Sequence, residues 1–190
     1  MQDITRNLSS RRDLLSMTGK TLSLAAVSLV IGREIKTASA ADLSQDIAIL
    51  NAAIALEHEG IAAYQIAATS GLLQPAIVDI GVAFQGHHKG HRDILVKAVE
   101  TLGGTPAIEK SLEEYARNIK AETLKNQTDV LRLALDLERG AANAYLGLIP
   151  SLGNDFHQIA AQMAADESFH AAILANALGE PIPKAALLFG

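Results

Sequence analysis

Four stretches of helical periodicity, separated by a short, a long and a short connection and without any strand pattern, predict an all-α fold. The arrangement is a four-helix bundle in which two αα-hairpins are joined by one long crossover. A third observation points the same way: the second pair of stretches repeats the first about 80 residues later, as two copies of one hairpin would.

Residues 1–40 stand apart from this pattern. Arg6, Arg11 and Arg12 precede an apolar run from Thr21 to Gly32, and Ala38-Ser39-Ala40 supplies small residues suited to cleavage. This is the layout of an export signal. The run is too short to span about 30 Å of hydrocarbon as a helix, so membrane contact is expected only if the segment stays attached and extends back to Leu14. Ser10-Arg11-Arg12-Asp13-Leu14-Leu15 resembles a twin-arginine signal, with an ordinary secretory signal as the alternative. Cleavage after Ala40 and a periplasmic destination follow as expectations, although Arg33, Glu34 and Lys36 sit untidily before the cut.

The first helix is expected from Ser44, a suitable N-cap, to about Ser70, with Ile47, Leu50, Ile54, Ile61 and Tyr64 at helical spacing. Pro75 suits the first turn of the second helix, which runs through Phe84, Ile94 and Val99 to a stop at Gly103-Gly104. Residues 105–127 form the crossover, with a short surface helix expected over Ser111–Lys120. Thr128 is the expected cap of the third helix, which carries Leu131, Leu135 and Tyr145 and closes at Pro150. Asn154 is the expected cap of the fourth, which continues through Met163 and Leu174 to Gly179. The bundle thus occupies 41–180. Residues 181–190 form an apolar tail expected to pack on its own bundle, with contact to a partner or a membrane as the alternative.

Composition narrows the chemistry. Residues 1–40 hold six Lys/Arg and three Asp/Glu, which leaves residues 41–190 with ten and eighteen, a net of −8. Such a body does not suit nucleic acid. The chain has no cysteine, so it has no disulfide framework or thiol nucleophile, and any metal must take nitrogen and oxygen ligands. No phosphate-cradling glycine loop, nucleophile elbow or dinucleotide fingerprint is found.

The repeat locates the candidate site. Leu56-Glu57 and Tyr64 recur 81 residues later as Leu137-Glu138 and Tyr145, and His88-x-x-His91 aligns with Glu167-x-x-His170 at an offset of 79. Glu57, His88, Glu138 and Glu167 lie 10 to 13 residues into their helices, which at about 1.5 Å per residue puts them in one central layer. Three carboxylates buried there would repel one another and lose hydration unless protonated or neutralised. A cation satisfies them; a metal-free polar layer held by hydrogen bonds is the alternative. Tyr64 and Tyr145 can hydrogen-bond to carboxylates but read first as core packing. His58, Glu59 and His87 are expected to turn about 100° away from the site, toward solvent or a neighbour, and His157 reads as surface.

These residues resemble the ferritin-like superfamily, whose bundles carry a lone Glu on two helices and Glu-x-x-His on the other two. Together with the export signal, the chain looks like a bacterial exported ferritin-like domain protein. The resemblance covers about residues 44–178 and implies a metal centre of Glu57, His88, His91, Glu138, Glu167 and His170. It implies one or two ions, with iron first and manganese or zinc as alternatives, and oxidase- or peroxide-type redox activity. A non-catalytic scaffold or stress-protection module is the competing function. Self-association into a homo-oligomer is compatible with either. The second helix departs from the family pattern: it offers His88-x-x-His91, or Gln85-x-x-His88 in another frame, and neither frame has the expected Glu. Alignment with His170 favours His91 as the family histidine.

Overall fold

The computed structural model describes residues 40–189, so the expected export segment lies, apart from Ala40, outside the described residues. The chain forms α1 (Ala40–Thr69), α2 (Pro75–Thr101), α3 (Leu112–Asn118), α4 (Gln127–Leu148) and α5 (Asn154–Ala177), with short 3-10 turns at Ala121–Thr123 and Ile149–Ser151. No strand occurs among the described residues. α1 packs along α2 and α4 along α5, giving the two expected hairpins, and α3 lies on α1. No helix among the described residues is long and apolar enough to cross a membrane.

Helix boundaries follow the expected breakers more closely than the expected caps. α2 starts at Pro75 behind an extended Gln74 and ends before Gly103, whose φ of 77° suits a residue without a side chain. α3 is capped by Ser111, which accepts a hydrogen bond from the Glu114 amide. α1 is already helical at Ala40, the first described residue, so Ser44 lies inside the helix and is not its cap; Asp42 lies in the first described turn. α4 is capped by Asn126, not Thr128. The Asn126 side chain accepts from the Asp129 amide at 3.0 Å while Asp129 accepts from the Lys125 amide at 2.9 Å, a reciprocal lock that Thr128 has no partner to form. Asn154 is the first residue of α5 and Gly153 its cap. Gly153 donates its amide to Asp46 of α1 at 2.8 Å. A Cβ at position 153 would stand 2.7 Å from the Asp46 carboxylate, so a side chain there would have to displace Asp46 from this contact between hairpins.

The core is divided in two by polar side chains. Ile49, Ile54, Val99, Leu148 and Met163 belong to one apolar cluster, and Phe84, Leu131, Leu135 and Leu174 to the other. One cluster draws on the beginning of α1 and the end of α4, and the other reverses this, so α1 and α4 run antiparallel. The crossover must therefore travel the length of the bundle. Asn51 fixes its start, donating to the Thr105 carbonyl at 3.0 Å and accepting from the Ala107 amide at 2.6 Å. Buried Tyr115 fixes its middle.

The tail gives a mixed outcome. Phe189 packs against the second cluster, while Ile182 and Leu187 are 90% and 96% exposed.

Candidate metal centre

Glu57 projects from α1, His88 and His91 from α2, Glu138 from α4, and Glu167 and His170 from α5. All six are buried. They meet between the two apolar clusters, each of which also draws on all four long helices. A spacing of three residues puts His88 beside His91, and Glu167 beside His170, on single helix faces. Gly60 lets the His88 ring lie against α1, since a Cβ there would come within 3.1 Å of the imidazole.

Their ligand atoms form two overlapping groups. Glu57, His88, His91 and Glu167 each place one ligand atom within 4.8 Å of the others, and so do His88, Glu138, Glu167 and His170. His88 and Glu167 belong to both groups and are equivalent residues of the internal repeat. Glu57 with His91 completes one half, and their counterparts Glu138 with His170 complete the other. His88 Nδ1 lies 2.8 Å from Glu57 and Nε2 lies 3.3 Å from Glu138. His91 Nδ1 and His170 Nδ1 each stand 3.1 Å from Glu167, on its two different oxygens.

The tyrosines both pack in the core and join this layer, so the hydrogen bonding ranked second to packing is present as well. Tyr64 donates to Glu138 and Tyr145 donates to Glu57, so each hydroxyl serves the carboxylate of the opposite hairpin. Two neighbours missed by sequence reasoning also take part. The outer nitrogen of His91 meets Asp166 at 3.1 Å, and the outer nitrogen of His170 meets His87 Nδ1 at 2.8 Å. His87 is exposed as expected, yet it engages the centre. The missed signal was the repeat: residues 87 and 166 are separated by the same 79 positions as residues 91 and 170. His58 is buried, not solvent-facing, and its Nε2 lies 3.3 Å from the Ala107 carbonyl. Glu59 is half-buried at the rim. His157 is partly exposed and contacts the Leu152 carbonyl at 2.8 Å.

Electrostatics in the layer are those of a proton-filled ligand set. Burial pushes the Glu57 and Glu138 carboxyls up, but histidine hydrogen bonds prevail and hold both below the usual range. Burial dominates at Glu167, assisted by hydrogen bonding to Glu138, and raises it. Burial also opposes the charged imidazoles, yet bonds to the carboxylates raise His88 and His170 and push His91 up to about 10. A cation can replace these protons, because nitrogen and oxygen donors converge in a buried space with three carboxylates to neutralise it. The donor set therefore fits a metal ion.

A cavity of about 50 Å3 approaches the layer between α1 and α4. It is walled by Ala63 and Leu137, covered by Ile119 and Leu124 of the crossover, and reaches His88 and Glu138.

No curated protein matches the chain. Among solved structures, a conserved hypothetical protein from Mycobacterium tuberculosis is similar, with 24% identity, a TM-score of 0.61, and coverage of 76% of this chain and 97% of that one. That likeness concerns the fold. The ferritin-like domain family matches residues 45–180, which contain all four long helices from the second turn of α1 onward and every residue of the buried layer. The chain belongs to the ferritin-like domain family.

Proposed function

We propose that this chain is an exported metal-binding protein whose core holds one or two ions through Glu57, His88, His91, Glu138, Glu167 and His170. One observation carries the reading: the two buried four-residue groups overlap at His88 and Glu167. Iron ranks first through the family, with manganese or zinc as alternatives. Bound iron would supply one-electron chemistry toward oxygen or peroxide.

The chain's own residues have definable tasks in this reading. Glu57 and Glu138 neutralise charge at opposite halves while Tyr145 and Tyr64 orient them. The apolar clusters on either side keep bulk water out. The cavity beneath Ile119 and Leu124 gives a small molecule an approach to the His88 edge. Three carboxylates balance one divalent ion with a net of −1 and two with a net of +1, so a pair of more highly charged ions is poorly supported. Export by the twin-arginine route to the periplasm belongs to the same proposal and rests on Arg11, Arg12 and the apolar run after them.

Elemental analysis of protein purified without chelators, after iron, manganese and zinc are each offered, tests the metal reading. At least one ion per chain is expected. Substoichiometric metal in all three cases would reject it. Replacing Arg11 and Arg12 together by lysine should block export, and unchanged periplasmic recovery would reject the twin-arginine route.

The exposed Ile182 and Leu187 favour a second reading, a scaffold that binds a partner through its tail. Deleting residues 181–190 should then change the oligomeric state or partner recovery.

A further inference from the structure

The internal repeat makes the two halves of the centre alike in ligands, but it does not make them alike in what stands behind the ligands. His91 and His170 are equivalent, and each turns Nδ1 inward toward Glu167 and Nε2 outward. Behind His91 the outward nitrogen meets a carboxylate oxygen of Asp166 at 3.1 Å. Behind His170 it meets a neutral donor-acceptor ring, His87, at 2.8 Å. Asp166 and His87 occupy equivalent positions, each immediately before a shared residue of the layer, Glu167 or His88. Each reaches across from its own helix to the histidine of the other.

We propose that Asp166 and His87 are positioning residues that make the two halves unequal, so that the Glu57/His91 half takes a divalent cation first and more tightly than the Glu138/His170 half. This rests on the metal-binding reading above.

The physical basis is the outer partner of a ligating imidazole. A carboxylate that accepts the outer N–H fixes the ring's tautomer and orientation and makes the inner nitrogen a stronger donor. It also adds a negative charge near the ion. A neutral imidazole acceptor fixes the tautomer equally well but contributes no charge. The His170 ring is held in addition by Phe84, stacked at a centroid distance of 4.0 Å, so its half is well oriented and only less basic. Loading order is therefore set by charge and basicity.

Cobalt titration of the full chain after chelator treatment provides the test, because each Co2+ bound by nitrogen and oxygen ligands gives visible absorption that reports its own site. Two resolved steps are expected for the unaltered protein. Asp166→Asn should weaken the first step about 10- to 100-fold and leave the second nearly unchanged. His87→Asp should strengthen the second step and bring the two together, while His87→Ala should weaken the second alone. Asp166 and His87 both reach solvent, and thermal unfolding of the metal-free variants checks that the bundle is intact. Two steps of equal affinity in the unaltered protein, or an Asp166→Asn variant that weakens both steps equally or neither, would overturn the inference while leaving the metal site standing. If only one ion binds, weakening by His87→Ala and not by Asp166→Asn overturns it. Failure of the unaltered protein to bind Co2+, Fe2+, Mn2+ or Zn2+ removes the metal-binding reading itself, and this inference with it.

Discussion

Tyr145, near the end of α4, donates its hydroxyl hydrogen bond to Glu57, near the middle of α1. Tyr64 of α1 returns the same bond to Glu138 of α4. The two hairpins are thus clasped at their centre by a reciprocal pair of tyrosine–carboxylate bonds. Each tyrosine ring belongs to one of the apolar clusters and its hydroxyl to the polar layer. Burial, then the adjacent Glu57 charge, raises the Tyr145 hydroxyl well above its ordinary range, so it remains a donor at any physiological pH.

We predict that Tyr145→Phe removes one charge-assisted bond without opening a cavity. The cost in the metal-free protein should be about 1 to 2 kcal/mol, which for a chain of this size lowers Tm by about 2 to 8 °C. Tyr64→Phe should cost a similar amount. Thermal unfolding of the two single variants and the double variant checks this; a Tm unchanged within error in both single variants would show that the bonds contribute nothing.

Glu57 and Glu167 should respond unequally to the same replacement. Glu57 is held below the usual carboxylate range by its histidine bonds, whereas burial raises Glu167 toward its neutral form. Glu57→Gln therefore takes away a needed negative charge and is predicted to destabilise the metal-free protein. Glu167→Gln removes a carboxyl whose charged form burial already disfavours, so it should cost less stability than Glu57→Gln. Metal content reverses the ranking: Glu167 serves both halves and Glu57 only one, so Glu167→Gln should lose more metal. Denaturant unfolding and elemental analysis of both variants decide the matter.

The features read correctly in the sequence are those that one helix determines locally. Pro75, Gly103 and the three-residue Glu/His spacings act within a few turns, and the matched offsets carried them into one layer. What was missed depends on a second element. Asn126 outcompetes Thr128 because Asp129 and Lys125 close the lock around it, and Gly153 caps α5 because Asp46 of another hairpin stands in front of it. His87 was set aside because it points about 100° away from His88 on its own helix. An imidazole has two nitrogens on opposite sides of its ring, and the outer one of His170 lies where a neighbour outside the ligand layer can reach it.

Stability and metal affinity should move oppositely with pH. In the metal-free protein burial disfavours the His91 imidazolium, but its bonds to Glu167 and Glu57 push it up to about 10. A histidine whose folded value is raised contributes its stability fully below its unfolded value of about 6.5 and loses it as pH rises through the folded value. Glu57 and Glu138, held low, contribute above about 4.5 and lose their contribution in acid. Metal-free stability should therefore be greatest between about pH 4.5 and 6.5 and decline toward pH 10. Zinc must displace the histidine protons, so its affinity should rise over the same alkaline range. Urea unfolding with chelator and calorimetry with zinc in buffers of different ionisation enthalpy measure the two trends. A midpoint that rose from pH 6.5 to 9 without metal would contradict the assignment of protons to the imidazoles.

His88 stands where the family pattern has a carboxylate, and His88→Glu is the most direct probe of that departure. In the metal-free protein the exchange removes the positive partner of Glu57 and Glu138 and adds a fourth buried acid, so stability should fall, with Tm lower by at least several degrees. With two divalent ions four carboxylates reach neutrality, whereas the present three leave an excess of +1. The variant should therefore bind a second ion more tightly than the unaltered protein and recover more stability when loaded. Gly60 leaves room beside position 88 for the shorter side chain to adjust. Unfolding with chelator and with excess manganese separates the two effects. If second-ion affinity did not rise while the bundle stayed folded, charge balance would not be what limits occupancy of this centre.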